Sequence, residues 1–254
     1  MLRTRVMPCL LLKGRGLVKT INFKNERYVG DPINAVRIFN QKEVDELILF
    51  DINCTSHNAP INFPLLEQIT SECFMPLCYG GGVKTLADFK KLFAMGIEKI
   101  SVSSLLFDDP EIVKQAVAIY GSQSIVATLD INQSWFRKKY KVYTHSAKRK
   151  HQHTPVSAAI YACELGVGEI VINTIHRDGT WQGFDLELIK QIAACVNVPV
   201  VAAGGAGSLD DIKDVVINGH ASAVALGSMA VFQAKDMGVL IKFPKISELT
   251  KILP

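Results

Sequence analysis

What most constrains the fold of this chain is a rhythm: short runs of Val, Ile and Leu recur eight times along its 254 residues, separated by amphipathic stretches. Runs that are apolar throughout, rather than alternating, are buried on both faces, as the strands of a parallel sheet are when helices cover it. The strands fall at residues 6–12, 46–52, 75–79, 99–103, 124–130, 169–174, 198–202 and 222–226. Helix patterns lie between them at 32–42, 63–72, 85–95, 110–120, 155–165, 186–194 and 209–217, and beyond the eighth strand the pattern weakens. No Pro-, Gly- or Ser-rich linker interrupts the series, which predicts one domain over residues 1–254. Such regularity favours a single closed (βα)8 barrel, the TIM fold of the α/β class, over an open doubly wound sheet.

The halves of the chain, about 1–120 and 121–254, resemble each other. Gly80 and Gly81 are separated from Gly204 and Gly205 by the same interval that separates Ser104 from Ser228. With a one-residue shift, Leu86, Asp88, Lys90 and Gly96 match Leu209, Asp211, Lys213 and Gly219. In each half a glycine group follows a strand and leads into a helix, and a polar segment ends the next strand. Bare glycines let backbone N–H groups approach an anion. Gly81 and Gly82 with Ser103 and Ser104 therefore form one candidate phosphate cradle, and Gly205, Gly207, Gly227 and Ser228 the other. Either glycine group alone is equally explained by a tight turn. Recurrence in both halves favours a small ligand with two phosphates spanning the mouth of the barrel.

Composition narrows the functional classes. Apolar residues make up 48% and charged residues 20%, the balance of a soluble enzyme rather than of a disordered or fibrous chain. Without an apolar run of about 18 residues or a signal-like start, a cytoplasmic protein with no membrane association is expected. Cys9, Cys54, Cys73, Cys78, Cys163 and Cys195 are scattered and lack Cys-x-x-Cys spacing, so buried free thiols are expected. The net charge of +4 is partly local, because Arg137, Lys138, Lys139, Lys141, Lys148, Arg149 and Lys150 share one stretch with Trp135, Phe136, Tyr140 and Tyr143. Its alternation predicts a hairpin rising from the fifth strand, either plainly solvated or gripping an acidic ligand or a neighbouring enzyme. Nucleic acid is not an expected partner, since the remaining surface is not strongly basic. His151 and His153 lack the companions of a metal shell. Trp181 is read as packing in a loop at the barrel mouth.

In sequence order, Val29-Gly-Asp-Pro, Asp45-Glu-Leu-Ile-Leu-Phe-Asp, Tyr79-Gly-Gly-Gly, Tyr120-Gly-Ser-Gln, Arg177-Asp-Gly-Thr and Ala203-Gly-Gly-Ala-Gly resemble the HisF family, from Arg5 to about Phe232. HisF is the cyclase subunit of imidazole glycerol phosphate synthase. The resemblance implies a bisphosphorylated ribulosyl substrate across both cradles, a HisH-like glutaminase partner in a heterodimer, and ammonia entering at the barrel bottom. It implies no metal and no redox cofactor. Arg5, Glu46, Lys99 and Glu169 match the charged residues that ring the ammonia entrance, and Glu98 is placed to meet a lysine of the glutaminase. Lys19 and Asp51 match positions near the site.

The family's principal acid/base pair is two aspartates, at the ends of the first and fifth strands. Asp130 matches the second, but Leu11 stands where the first belongs. A leucine cannot transfer a proton, so weakened cyclase chemistry is expected. After the sixth strand the family usually reads Asp-Arg-Asp-Gly. Here Asp178 is kept and His176 replaces the first aspartate, either as a proton donor or acceptor or as a polar rim residue. Cys9-Leu-Leu-Leu-Lys in the first strand also resembles a divergent branch found beside surface-polysaccharide genes. In that branch ammonia is thought to pass to a sugar amidotransferase. A working cyclase and a non-catalytic glutaminase activator remain as the alternatives.

Overall fold

The computed structural model describes residues 4–57, 59–134 and 139–254, and Trp135 to Lys138 of the expected hairpin lie outside the described residues. Eight parallel strands form the barrel: β1 (Arg5–Lys13), β4 (Leu47–Asp51), β5 (Leu77–Gly80), β6 (Lys99–Val102), β7 (Ile125–Gln133), β10 (Glu169–Thr174), β11 (Val200–Ala203) and β12 (Ala223–Leu226). Each pairs with the next around the circle, and β10 pairs with β7 to bring the order round to closure. The register runs Glu169 opposite Val126, Val171 opposite Thr128 and Asn173 opposite Asp130. Because side chains alternate along a strand, this places residues 169, 171 and 173 on one face with 126, 128 and 130.

The helices start where their caps dictate. In α1 (Pro32–Gln41), α3 (Phe63–Glu72), α6 (Pro110–Tyr120) and α7 (Pro155–Glu164) a proline opens the first turn, and Asp31, Asn62, Asp109 and Thr154 accept from the backbone N–H groups just inside. The repeat of the two halves is visible at the same level. Helices α4 (Leu86–Ala94) and α9 (Leu209–Ile217) both begin with a capping box, Thr85 with Asp88 and Ser208 with Asp211. Helix α8 (Leu186–Ala193) is capped by Asp185.

Between strand exteriors and helices lies a large core that includes Leu10, Leu12, Leu47, Phe89, Ile100, Ile170 and Ile212. A second, smaller group fills the barrel itself, with Met7, Ile48, Cys78, Val126, Val171, Val201 and Ala223 among its members. The expectation of buried thiols holds for Cys54 and Cys78. Cys195 is exposed, and Cys9, Cys73 and Cys163 are half-buried. Cys195 lies just past the end of the helix Leu186–Ala193.

Several elements were not expected. An antiparallel hairpin, β2 (Gly16–Ile21) and β3 (Lys24–Gly30), extends from β1, and its polar outer strand KNERYVG carries no apolar run to announce it. The hairpin expected to rise from the fifth strand is present: β7 runs on to Gln133 and pairs with β8 (Tyr140–Thr144), which in turn pairs with β9 (Arg149–Lys150). Short helices α2 (Ile52–Ser56), α5 (Leu105–Asp108) and α10 (Ser228–Val231) follow β4, β6 and β12, and α11 (Ile246–Ile252) lies in the weakly patterned C-terminal stretch. Among the described residues no helix is long and apolar enough to cross a membrane.

Candidate functional site

At the C-terminal ends of the strands a cavity of about 390 Å³ opens into the barrel mouth. Gly81, Gly82, Ser103 and Ser104 line it from the first half, and Gly205, Gly227 and Ser228 from the second. Gly207 does not. Its N–H donates to the Asp211 carboxylate at 2.9 Å, drawing it into the cap of α9. The tight-turn reading of the glycines holds at Gly81 and Gly205. They sit at φ 124° and 114°, where a Cβ would collide with the backbone carbonyls of Asp51 and Gly183. The turn therefore demands glycine with or without a ligand. At Gly227 the space of the missing Cβ is taken by the Lys19 side chain, 2.8 Å from its Cε. Ser103 lines the cavity, and its hydroxyl is buried with no hydrogen-bond partner among the described residues. A buried hydroxyl left unpaired costs about 1–3 kcal/mol, which an anionic ligand accepting from it would relieve.

Asp130 and Leu11 line the same cavity, with Cys9 and Asn173. Asn173 donates to Asp130 Oδ1 at 3.0 Å. Burial pushes the Asp130 carboxyl up to about 7, the Asn173 hydrogen bond opposes this, and the charge of Asp178 adds to it. Lys19 meets Asp178 Oδ1 at 2.5 Å while the Thr20 hydroxyl donates to Oδ2 at 2.7 Å. Both Asp178 oxygens are thus engaged, and the hairpin β2–β3 is tied across the barrel. Asp51 lines the cavity too, its Oδ1 accepting from the N–H groups of Asn53 and Cys54 at the start of α2.

His176 stands elsewhere. It falls in a short 3-10 turn, and its Nε2 lies 3.1 Å from Asp185 Oδ2, whose carboxylate also accepts from the Tyr140 hydroxyl at 2.8 Å. The structure therefore places it in a network beside the cavity rather than in its lining. His151 and His153 form ring contacts with Phe107, at 4.2 and 5.6 Å between centroids. Trp181 packs against the core, its backbone against Gly207.

Sequence reasoning missed Asn173, the Ser101–Thr128 hydroxyl pair at 2.6 Å, Thr20, His145 and Ser146, whereas Lys148, which also lines the cavity, belongs to the basic stretch singled out in the sequence. Counting alternate residues upward from Glu169 would have found Asn173. No local pattern marks the others.

At the opposite end, Arg5 bridges Glu46 at 2.6 Å and Glu169, and Lys99 bridges the same two carboxylates at 2.8 and 2.9 Å. Charges of alternating sign thus close a ring from four sequence-distant residues. Burial works against the charge of Arg5, but Glu169 and then Glu46 outweigh it and hold the guanidinium above its ordinary value. Lys99 is raised against burial by the same two partners. Glu98 is exposed beside this ring, and Phe74, before β5 at the same end, is 83% exposed.

A family model described as histidine biosynthesis protein matches residues 5–235. A protein of Pseudomonas aeruginosa named "Putative imidazole glycerol phosphate synthase subunit hisF2" is 47% identical over 249 residues, covering 98% of this chain and 99% of that one. One of Vibrio vulnificus, "Putative imidazole glycerol phosphate synthase subunit hisF3", is 43% identical over 253 residues, covering 100% and 97%. A Leptospira borgpetersenii relative, "Putative imidazole glycerol phosphate synthase subunit HisF", is 42% identical over the full length of both. The chain belongs to the histidine biosynthesis protein family, among its HisF-like members.

Proposed function

We propose that this HisF-like protein is the synthase-type subunit of a glutamine amidotransferase complex, taking ammonia from a glutaminase bound at the Arg5–Glu46–Lys99–Glu169 end. The ring supports this reading because its charges neutralise one another, so a small neutral molecule can approach without meeting a net charge. Above it the interior is lined by Met7, Ile48, Cys78 and Val126, which would pass neutral ammonia and disfavour ammonium. Glu98 and the exposed Phe74 offer the glutaminase a charged and an apolar contact.

The observation that carries the finer reading is Leu11, which lines the cavity with Asp130 where the family pair would need a second carboxylate. Loss of one positioned acid or base typically costs about 10²–10⁴ in rate. Cyclase turnover is therefore weak, and the ammonia serves a sugar amidotransferase in surface-polysaccharide biosynthesis. Both cradles still take a phosphorylated ligand, Lys19 and Ser228 sitting at the second and the unpaired Ser103 hydroxyl at the first. Asp178 holds Lys19 in place.

A histidine-pathway cyclase is the second reading, favoured by Asp130, whose carboxyl near 7 is poised to give and take a proton at neutral pH. A purified complex with its glutaminase separates the two. We expect glutamine hydrolysis to be activated while ring closure runs at least about 10²-fold below that of relatives with an aspartate at position 11, and Leu11→Asp to recover part of the difference. Ring closure at relatives' rates, or rescue of a histidine-requiring strain, would refute the polysaccharide reading. Glutaminase activation with no bisphosphate binding would leave a scaffold.

A further inference from the structure

The turn between β8 and β9 forms a part of the cavity wall that the cradles and Asp130 do not account for. His145, Ser146 and Lys148 line the cavity beside Ser103 and Ser104. The chain reaches them through three successive left-handed residues, His145, Ser146 and Ala147 at φ 56°, 54° and 65°. Non-glycine residues hold that conformation only where their surroundings impose it.

The surroundings here are α5 and the segment after β9. Arg149 donates to Asp108 Oδ1 at 2.6 Å, and His145 Nε2 lies 3.9 Å from Asp108 Oδ2. The Thr144 hydroxyl sits between His145 Nδ1 at 3.0 Å and His151 Nε2 at 2.8 Å, and the His151 ring stacks on Phe107. Asp108 and Phe107 belong to α5, which follows directly on Ser103 and Ser104. Turn and first cradle are therefore one assembly, clamped from behind. The second cradle has a different cation. Lys19 lies against Gly227 and pairs with Asp178.

We infer that His145 and Lys148 bind the phosphate seated at Ser103 and Ser104, and that Asp108 is a positioning residue which aims them by holding the turn. The assignment rests on the reading of the cavity as a bisphosphate site. It makes the cradles differ in their source of cations: the first recruits side-chain donors from the hairpin β8–β9, whereas the second has Lys19 of β2. The basic hairpin then has a ligand-directed side at its turn.

The test is titration of the full chain with inorganic phosphate, followed by calorimetry and phosphorus NMR. Wild type should bind two phosphates. Lys148→Ala should weaken one of the two sites by about 10–100-fold and leave the other unchanged, with a smaller loss for His145→Ala. Lys141→Ala, a cation on the same hairpin outside the cavity lining, should alter neither. Asp108 discriminates between contact and field. Removing a carboxylate near an anion would tighten binding if only the local charge mattered, whereas a positioning role predicts that Asp108→Asn weakens the same site severalfold and that Asp108→Glu restores part of it. Two phosphate sites that survive Lys148→Ala unchanged, an equal loss in Lys141→Ala, or tighter binding in Asp108→Asn would each overturn the inference while leaving the bisphosphate reading intact. A wild-type chain that binds no phosphate overturns that reading and the inference with it.

Discussion

The two ends of the barrel solve opposite electrostatic problems. At the floor, four charges from β1, β6, β10 and the residue before β4 satisfy each other, and each cation touches both carboxylates. At the mouth, polar groups are left wanting: the Ser103 hydroxyl is unpaired among the described residues, and burial pushes the Asp130 carboxyl up to about 7. The difference teaches that charge can be buried for two purposes. A closed ring contributes to the fold, whereas an incompletely satisfied group holds energy that a ligand can release.

Breaking the floor should have the largest effect. Glu169→Ala leaves Arg5 and Lys99 sharing Glu46 alone, and removal of one partner from a buried ionic network typically costs about 3–5 kcal/mol. Because Arg5 is 30% exposed, the lower end is expected in urea denaturation. A loss under about 1 kcal/mol would mean that the ring contributes little to folding.

The mouth should respond to pH in a direction that the floor does not. The folded-state carboxyl of Asp130 lies above its ordinary value, so the native state holds this proton more tightly than the unfolded chain. Its ionisation is therefore a liability that is absent at low pH, grows as pH rises through the ordinary carboxylate range, and reaches its full size above about 7. Asp130→Asn keeps an acceptor for Asn173 and removes the ionisation. The variant should be more stable than wild type at pH 8 by roughly 2 kcal/mol, a figure discounted for solvent in the cavity, and the gain should vanish near pH 4. A constant difference across that window would contradict the assignment.

The smallest effect sharpens the contrast. Ser103→Ala deletes a hydroxyl without a partner among the described residues, so the variant should be as stable as wild type or more stable by up to about 1–3 kcal/mol. Phosphate affinity should nevertheless fall severalfold in the titration that monitors the first cradle. A large destabilisation would show that the hydroxyl has a structural role.

Much of this architecture was legible in advance because strand and helix periodicity are local properties. All eight barrel strands and the seven patterned helices occur at the expected places, with ends shifted by a few residues where capping groups set them. The hairpin β2–β3 was not legible, since its outer strand is exposed and polar and is held by pairing with β2, itself anchored by Lys19 and Thr20 on Asp178. The candidate site divides the same way. Gly81, Gly205 and Ser103 follow from motif and repeat. Gly207 lies outside the cavity lining because it contributes its N–H to the α9 cap, and of the two readings of His176 the polar rim residue agrees with the 3-10 turn that aims it at Asp185.

What the sequence determined by itself is the barrel and its doubled design. These follow from hydrophobic period and glycine placement, neither of which needs a distant partner. Only the tertiary structure decided that each of Arg5 and Lys99 pairs with both Glu46 and Glu169, and that His145 and Lys148 line the cavity from a turn tied to Asp108. The reason is physical: an ion pair or a ligand contact depends on where side chains from different strands end up in space, and that is set by the register with which the sheet closes on itself.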